Sequence, residues 1–78
     1  MIGKLHLNEI GRWEILDLEY KRYELTSGDL VEVAVGSHWI RTRIESRSAP
    51  NPPFTSEYYA TVPGIRLYEG MPARTPQD

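Results

Sequence analysis

Cysteine is absent from the 78-residue chain, which also contains only one phenylalanine and two histidines. Without cysteine the chain cannot form disulfides, thiolate nucleophiles or cysteine-based zinc sites. Small secreted domains usually depend on such cross-links, so their absence favours a reducing compartment. No segment approaches the ~20 apolar residues of a membrane-spanning helix, and the first residues lack the apolar run of a signal peptide. We therefore expect a cytoplasmic protein.

The composition indicates one small domain, predicted to occupy residues 1–78. Hydrophobic residues make up 40% of the chain, charged residues make up 26%, and the formal net charge is −2. This composition provides a small hydrophobic core, and the net charge is too small to cause disorder or strong electrostatic attachment. A large multidomain enzyme, a membrane protein and a collagen-like chain are excluded.

Short runs of alternating apolar and polar residues, interrupted by Gly and Pro, predict a β-rich fold. Residues 5–7 and 12–16 are predicted to form a hairpin around a turn at 8–11. The next stretch, 16–25, has no clear helix cap and is interpreted as an irregular excursion. Further strands are expected near the C-terminus, including one at 65–68.

Proline marks the segment least able to join a central strand, because proline donates no hydrogen bond to a neighbouring strand. Three prolines lie in residues 47–57, which are predicted to form an exposed loop, and residues 75–78 are predicted to be frayed. Six or so short strands with frequent turns predict a small, strongly bent all-β sheet or partly open barrel.

The central hairpin is the firmest prediction. Leu30–Val35 and His38–Ser46 flank Gly36-Ser37, a pair that suits a two-residue type II′ turn. The predicted register pairs Val35 with His38, Ala34 with Trp39, Val33 with Ile40, Glu32 with Arg41, and Val31 with Thr42. A slip by one residue would turn arginines toward the valines, which the cost of burying charge forbids. The predicted core contains Leu7, Trp13, Ile15, Leu25, Val31, Val33, Val35, Ile40, Ile44, Ala60, Val62 and Leu67.

Several segments together resemble a known family. They are Gly28-Asp29 followed by Val31-Glu32-Val33, then Trp39-Ile40-x-Thr42-Arg43-Ile44-Glu45, Tyr58-Tyr59, Leu67 with Gly70, and Ala73-Arg74. From Tyr23 to Arg74 the chain resembles a family of small, functionally uncharacterised bacterial domains of unknown function. The resemblance implies a small SH3-like, partly open barrel of five to seven short antiparallel strands and a cytoplasmic setting. It supplies no catalytic residues.

Enzyme signatures are missing from the sequence. It has no Gly-rich phosphate loop, nucleophile elbow or His-Glu-x-x-His motif. His6 and His38 fall in different hairpins and could ligate a metal only through tertiary coincidence. We therefore expect no enzymatic activity, no metal and no cofactor.

The outer face of the central hairpin carries the candidate binding residues. Trp39, Arg41 and Arg43 share one row on the predicted strand, and Tyr59 joins them if Tyr58, Ala60 and Val62 point inward. Aromatic and arginine side chains are typical of protein hot spots and of small barrels that bind nucleic acid. An ordinary surface is the alternative, with Trp39 covered by the N-terminal hairpin or C-terminal tail and the arginines paired to Glu32 and Glu45.

Three functions remain open from the sequence. The first is an interaction module that holds a protein partner through Trp39, Arg41, Arg43 and Tyr59. The second is weak nucleic-acid binding through the same face, which would show steep salt dependence. The third is a structural accessory role, in which the chain forms a homodimer along a bare edge strand such as 4–7 or 65–68.

Overall fold

Seven antiparallel strands form one continuous sheet in a computed structural model, which describes residues 1–49 and 54–77. The strands are β1 (Ile2–Leu7), β2 (Trp13–Leu16), β3 (Arg22–Glu24), β4 (Leu30–Val35), β5 (His38–Ser48), β6 (Ser56–Ala60) and β7 (Pro72–Arg74). Their order across the sheet is β3-β2-β1-β7-β4-β5-β6. The predicted all-β, partly open barrel is confirmed. Within the described residues, no helix is long and apolar enough to span a membrane.

The central hairpin of β4 and β5 has the predicted register, from Val35 opposite His38 to Val31 opposite Thr42. Gly36 has a φ of 61°, as the first residue of a type II′ turn requires. Strand β5 runs on to Ser48, and β6 begins at Ser56. Both ends of the segment predicted as a Pro-rich loop at 47–57 therefore belong to strands, and its residues 50–53 lie outside the described residues.

The N-terminal hairpin is confirmed, but the prediction of an irregular excursion at 16–25 was wrong. Strand β3 pairs with β2, and Asp17 organises the turn between them. One carboxylate oxygen of Asp17 accepts hydrogen bonds from the backbone N–H groups of Glu19 (2.8 Å) and Lys21 (2.9 Å). An aspartate side chain can thus build a turn that contains no Gly, Asn or Pro, which are the residues that usually signal a hairpin.

The C-terminal third crosses the sheet rather than adding an edge strand. Residues 65–68, predicted to be a strand, pair with no neighbour and lead from β6 to β7. Strand β7 then pairs with β1 on one side and β4 on the other, so β1 is not an edge strand. The exposed edges are consequently β3 and β6, and neither 4–7 nor 65–68 is the bare edge strand considered from the sequence.

Inward-facing residues of the curled sheet form the core, which differs in part from the prediction. Val35 is exposed because it lies at the tip of the central hairpin, beyond the core. Three buried residues were not in the predicted core: Leu5, Met71 and Ala73, which lie in strand β7 or next to it. The buried hydrophobic residues are Leu5, Ile15, Leu25, Val31, Val33, Ile44, Ala60, Met71 and Ala73. The predicted core residues Leu7, Trp13, Ile40, Val62 and Leu67 are half-buried.

Trp13 brings the two ends of the sheet together. Its indole nitrogen donates a 3.2 Å hydrogen bond to the backbone carbonyl of Tyr58, which joins β2 to β6. Because β2 lies next to one edge and β6 is the other edge, this contact curls the sheet into a half-barrel. The curl gives the sheet a concave, core-facing side and a convex outer side, and the candidate binding residues lie on the outer side.

Candidate functional site

The structure places Trp39, Arg41, Arg43 and Tyr59 on the same outer surface. The first three occupy alternate positions of β5, and Tyr59 lies on β6 directly opposite Glu45. Side chains at every second position of a strand share one face, so the four residues form one patch. Two further arginines, Arg47 and Arg74, complete it through the contacts given below. We call this patch the arginine face: Trp39, Arg41, Arg43, Arg47, Tyr59 and Arg74.

Glu32 organises one end of the arginine face from the neighbouring strand β4. One of its carboxylate oxygens accepts hydrogen bonds from Arg41 Nε (3.2 Å) and Nη2 (3.1 Å). Its other oxygen accepts a 2.8 Å hydrogen bond from Arg74 Nε. Arg41 also donates a 2.7 Å hydrogen bond to the backbone carbonyl of Gln77. A single buried carboxylate therefore orients two guanidinium groups, and the C-terminal segment contacts the same cluster.

Guanidinium groups stack on both aromatic rings of the arginine face. The Arg74 guanidinium carbon lies 4.2 Å from the centre of the Trp39 ring, and that of Arg47 lies 4.4 Å from the centre of the Tyr59 ring. Stacking holds each ring in a fixed orientation through the attraction between a cation and the ring face. Trp39 nevertheless keeps 36% of its surface exposed. Its ring is partly covered by Arg74 of β7, in the C-terminal segment that the sequence offered as one of two possible covers.

The remaining ion pairs of the arginine face are exposed to solvent. Arg43 Nη1 lies 3.9 Å from Glu45 Oε2, and the Arg43 side chain is 60% exposed. Arg47 Nη2 lies 3.2 Å from Glu57 Oε1 in a second exposed pair. Exposed pairs of this kind contribute little to stability. Arg43 is therefore the arginine that can exchange its intramolecular partner for an external one at the lowest cost.

Sequence reasoning missed two of the six residues of the arginine face. Arg47 continues the alternation of Trp39, Arg41 and Arg43, and would have been found if β5 had been extended beyond Ser46. Arg74 carried no comparable signal, because its place opposite Glu32 depends on the insertion of β7 between β1 and β4.

Acid should destabilise the fold through Glu32 and Glu69. The hydrogen bond from Arg74, followed by that from Arg41, lowers the pKa of Glu32. The backbone N–H of Leu7, followed by His6, lowers the pKa of Glu69. A carboxyl group with a lowered folded-state pKa stabilises the fold above its unfolded pKa, and this contribution is lost as the pH falls through the folded value.

We expect Glu32→Gln to lower the thermal midpoint at pH 7 and to flatten the loss of stability below about pH 5. The amide keeps the size of the side chain but removes the charge that Arg41 and Arg74 share. Thermal unfolding followed by circular dichroism from pH 7 to pH 3 measures both effects. Glu9→Gln, at an exposed turn position, is the control and should leave the curve unchanged. A Glu32→Gln curve that overlays the wild type would contradict this role of Glu32.

The open side of the half-barrel contains another candidate binding feature. A groove of about 700 Å³ runs between β6, the start of β2 and the crossover segment. Its apolar floor includes Trp13, Tyr58, Ile65 and Leu67, and Arg47 and Arg66 lie at its rim. We call this feature the aromatic groove. Sequence reasoning assigned Trp13 and Leu67 to the core and did not predict an open groove beside them.

The two histidines lie far apart in the sheet order. His6 Nδ1 lies 2.9 Å from Glu69 Oε2, whereas His38 is exposed at the tip of the central hairpin. Across residues 1–49 and 54–77, no group of three or more His, Asp or Glu side chains is arranged to hold a metal ion.

Comparison with known proteins gives one match. No curated protein and no solved structure matches the chain. A family model described as a domain of unknown function matches residues 3–75, which extends the likeness beyond the 23–74 stretch identified from the motifs. The chain therefore belongs to the family described as "Domain of unknown function (DUF5348)".

Proposed function

We propose that this domain is a non-enzymatic interaction module that binds a protein partner through the arginine face. The observation that carries the proposal is the pair of arginines stacked on Trp39 and Tyr59, beside the exposed Arg43. Tryptophan, tyrosine and arginine are the residues most enriched among hot spots of protein interfaces. Here they are held in place before binding, which reduces the entropy lost when a complex forms.

The charges of this surface indicate the chemistry of the partner. Four guanidinium groups, those of Arg41, Arg43, Arg47 and Arg74, face the three carboxylates of Glu32, Glu45 and Glu57. The surface is therefore slightly basic on a chain whose net charge is −2. We infer a partner that presents one or two carboxylates around an apolar side chain, which would pair with Arg43 and pack on the exposed ring surface.

Nucleic-acid binding through the same face is the weaker alternative. Arg41 and Arg74 share the buried carboxylate of Glu32, so two of the four guanidinium groups are not free to neutralise phosphates. Nucleic-acid affinity depends mainly on such neutralisation, and this pairing favours a protein partner. We also propose, from the family resemblance, an SH3-like barrel, a bacterial origin and a cytoplasmic location.

Site-directed photocrosslinking would identify the partner. A photoreactive phenylalanine derivative at position 61 would lie beside the arginine face, because the Thr61 N–H donates to the Arg43 carbonyl (2.9 Å). The same derivative at Glu9, exposed on the β1–β2 turn, is the control. A protein crosslinked from position 61 and not from position 9 would then be purified for quantitative binding.

We expect Arg43→Glu to weaken binding of the purified partner by about tenfold or more, because it places a carboxylate against the partner's carboxylates. Lys4→Glu makes the same charge change on β1 and should leave the affinity unchanged. Equal affinities for wild type and Arg43→Glu would contradict the proposal. So would binding to short oligonucleotides that weakens steeply with salt and is lost in Arg43→Glu, since that outcome would establish the nucleic-acid alternative.

A further inference from the structure

The turn between β2 and β3 exposes apolar side chains on a firmly held backbone. Asp17 N–H donates to the Lys21 carbonyl, and Tyr20 N–H donates to the Asp17 carbonyl, both at 3.1 Å. The Asp17 side chain accepts two more hydrogen bonds from this turn. Leu18 is nevertheless 99% exposed and Tyr20 is 83% exposed. We call residues 17–21 the apolar turn.

The choice of tyrosine at position 20 is unusual for its backbone conformation. Its φ is 62°, in the left-handed region, and among the described residues it is the only residue other than glycine with a positive φ. This conformation costs a residue with a Cβ about 1–2 kcal/mol, and glycine or asparagine usually occupies it. The backbone hydrogen bonds of the turn support this conformation, since the last residue of a three-residue hairpin loop is normally left-handed; the tyrosine ring itself extends into solvent. A residue kept in a strained conformation is a reason to look for a function.

The aromatic groove has the complementary character. Its floor is apolar and its volume of about 700 Å³ falls within the usual range for ligand sites. Arg66 is exposed at its rim. The apolar turn carries Asp17 and Glu19 beside Leu18 and Tyr20, with Glu19 only loosely paired to Lys21 (3.7 Å). One surface is thus apolar with acidic flanks. The other is apolar, and its charged residues are Arg66 and the ion pair of Arg47 with Glu57.

We propose that two copies of this chain associate by placing the apolar turn of each in the aromatic groove of the other. Leu18 and Tyr20 pack on the groove floor, and the Glu19 carboxylate pairs with Arg66 of the second copy. Each chain supplies one turn and one groove, so a two-fold arrangement uses both and closes on itself. The aromatic groove shares Arg47 and Tyr59 with the arginine face, whereas Trp39, Arg41, Arg43 and Arg74 do not line it.

Sedimentation velocity of the full chain, from micromolar to millimolar concentration, tests the proposal. The wild type should shift from monomer to dimer as its concentration rises. Leu18→Ser should raise the dissociation constant about tenfold or more, because it removes a leucine that becomes buried only in the dimer. Its thermal midpoint should match that of the wild type, since Leu18 makes no buried contact in the monomer. A wild type that stays monomeric at all concentrations overturns the proposal.

A charge exchange makes the test specific to the proposed contact. Glu19→Arg and Arg66→Glu should each weaken the dimer, and the double variant should recover most of the lost affinity because the pair is restored with its charges reversed. Trp39→Ala, on the arginine face, is the control and should leave the dimer intact. A dimer that is insensitive to Leu18→Ser, or whose single charge variants are not rescued in the double variant, overturns the proposal. Partner binding is tested through Arg43→Glu, and Arg43 does not line the groove, so the two proposals fail separately.

Discussion

Ile15→Ala is expected to lower the free energy of unfolding by about 2–5 kcal/mol, the usual cost of emptying a buried isoleucine site. Ile15 is fully buried in β2, opposite Leu5 on one side and Tyr23 on the other. It therefore lies at the centre of the N-terminal half of the sheet. Small domains have only about 5–15 kcal/mol of total stability, so this loss is a large fraction of the total. Urea denaturation followed by circular dichroism measures the change.

Ile10→Ala is the matched control for this substitution. Ile10 is 61% exposed on the turn between β1 and β2, and its replacement should change stability by less than about 0.5 kcal/mol. Equal losses for the two isoleucines would show that β2 does not lie in the core as described.

Gly3→Ala has the second-largest expected effect, about 1–3 kcal/mol, because a Cβ at this position would overlap the backbone carbonyl of Leu16. The φ of Gly3 is not positive, so alanine suits the local backbone and only the neighbouring strand excludes it. Relief of the overlap requires β1 to move away from β2. Urea denaturation of Gly3→Ala beside Lys4→Ala, its exposed neighbour, measures the cost. Gly3→Ala with the stability of the wild type would contradict the close approach of the two strands.

The turn and register of the central hairpin could be predicted because their signals are local. The Gly36-Ser37 pair fixes the turn, the turn fixes the register, and the alternation of side chains then assigns Trp39, Arg41 and Arg43 to one face. Tyr59 followed from the same reasoning, since the apolar residues beside it require it to point outward. The alternation of side chains along the strands, together with one turn, therefore predicted four of the six residues of the arginine face.

The elements that could not be predicted depend on contacts distant in sequence. Strand β7 has three residues, and its place between β1 and β4 is set by backbone pairing with both neighbours. The local sequence does not indicate that pairing, so Arg74 could not be assigned to the arginine face. The apolar turn was missed for a different reason, because it contains no glycine, asparagine or proline and is held instead by hydrogen bonds to the Asp17 side chain.

The central claim is that the arginine face binds a protein partner, and chemical-shift mapping tests it most directly. Two-dimensional ¹H–¹⁵N spectra of the labelled domain would be recorded during titration with the purified crosslinked partner. We predict that the largest changes map to β5 and β6 and include the indole N–H of Trp39 and the backbone N–H of Tyr59. The backbone N–H of Glu9, exposed on the turn between β1 and β2, should not change. Changes confined to surfaces outside β5 and β6, with the Trp39 indole signal unmoved at saturation, would contradict the account.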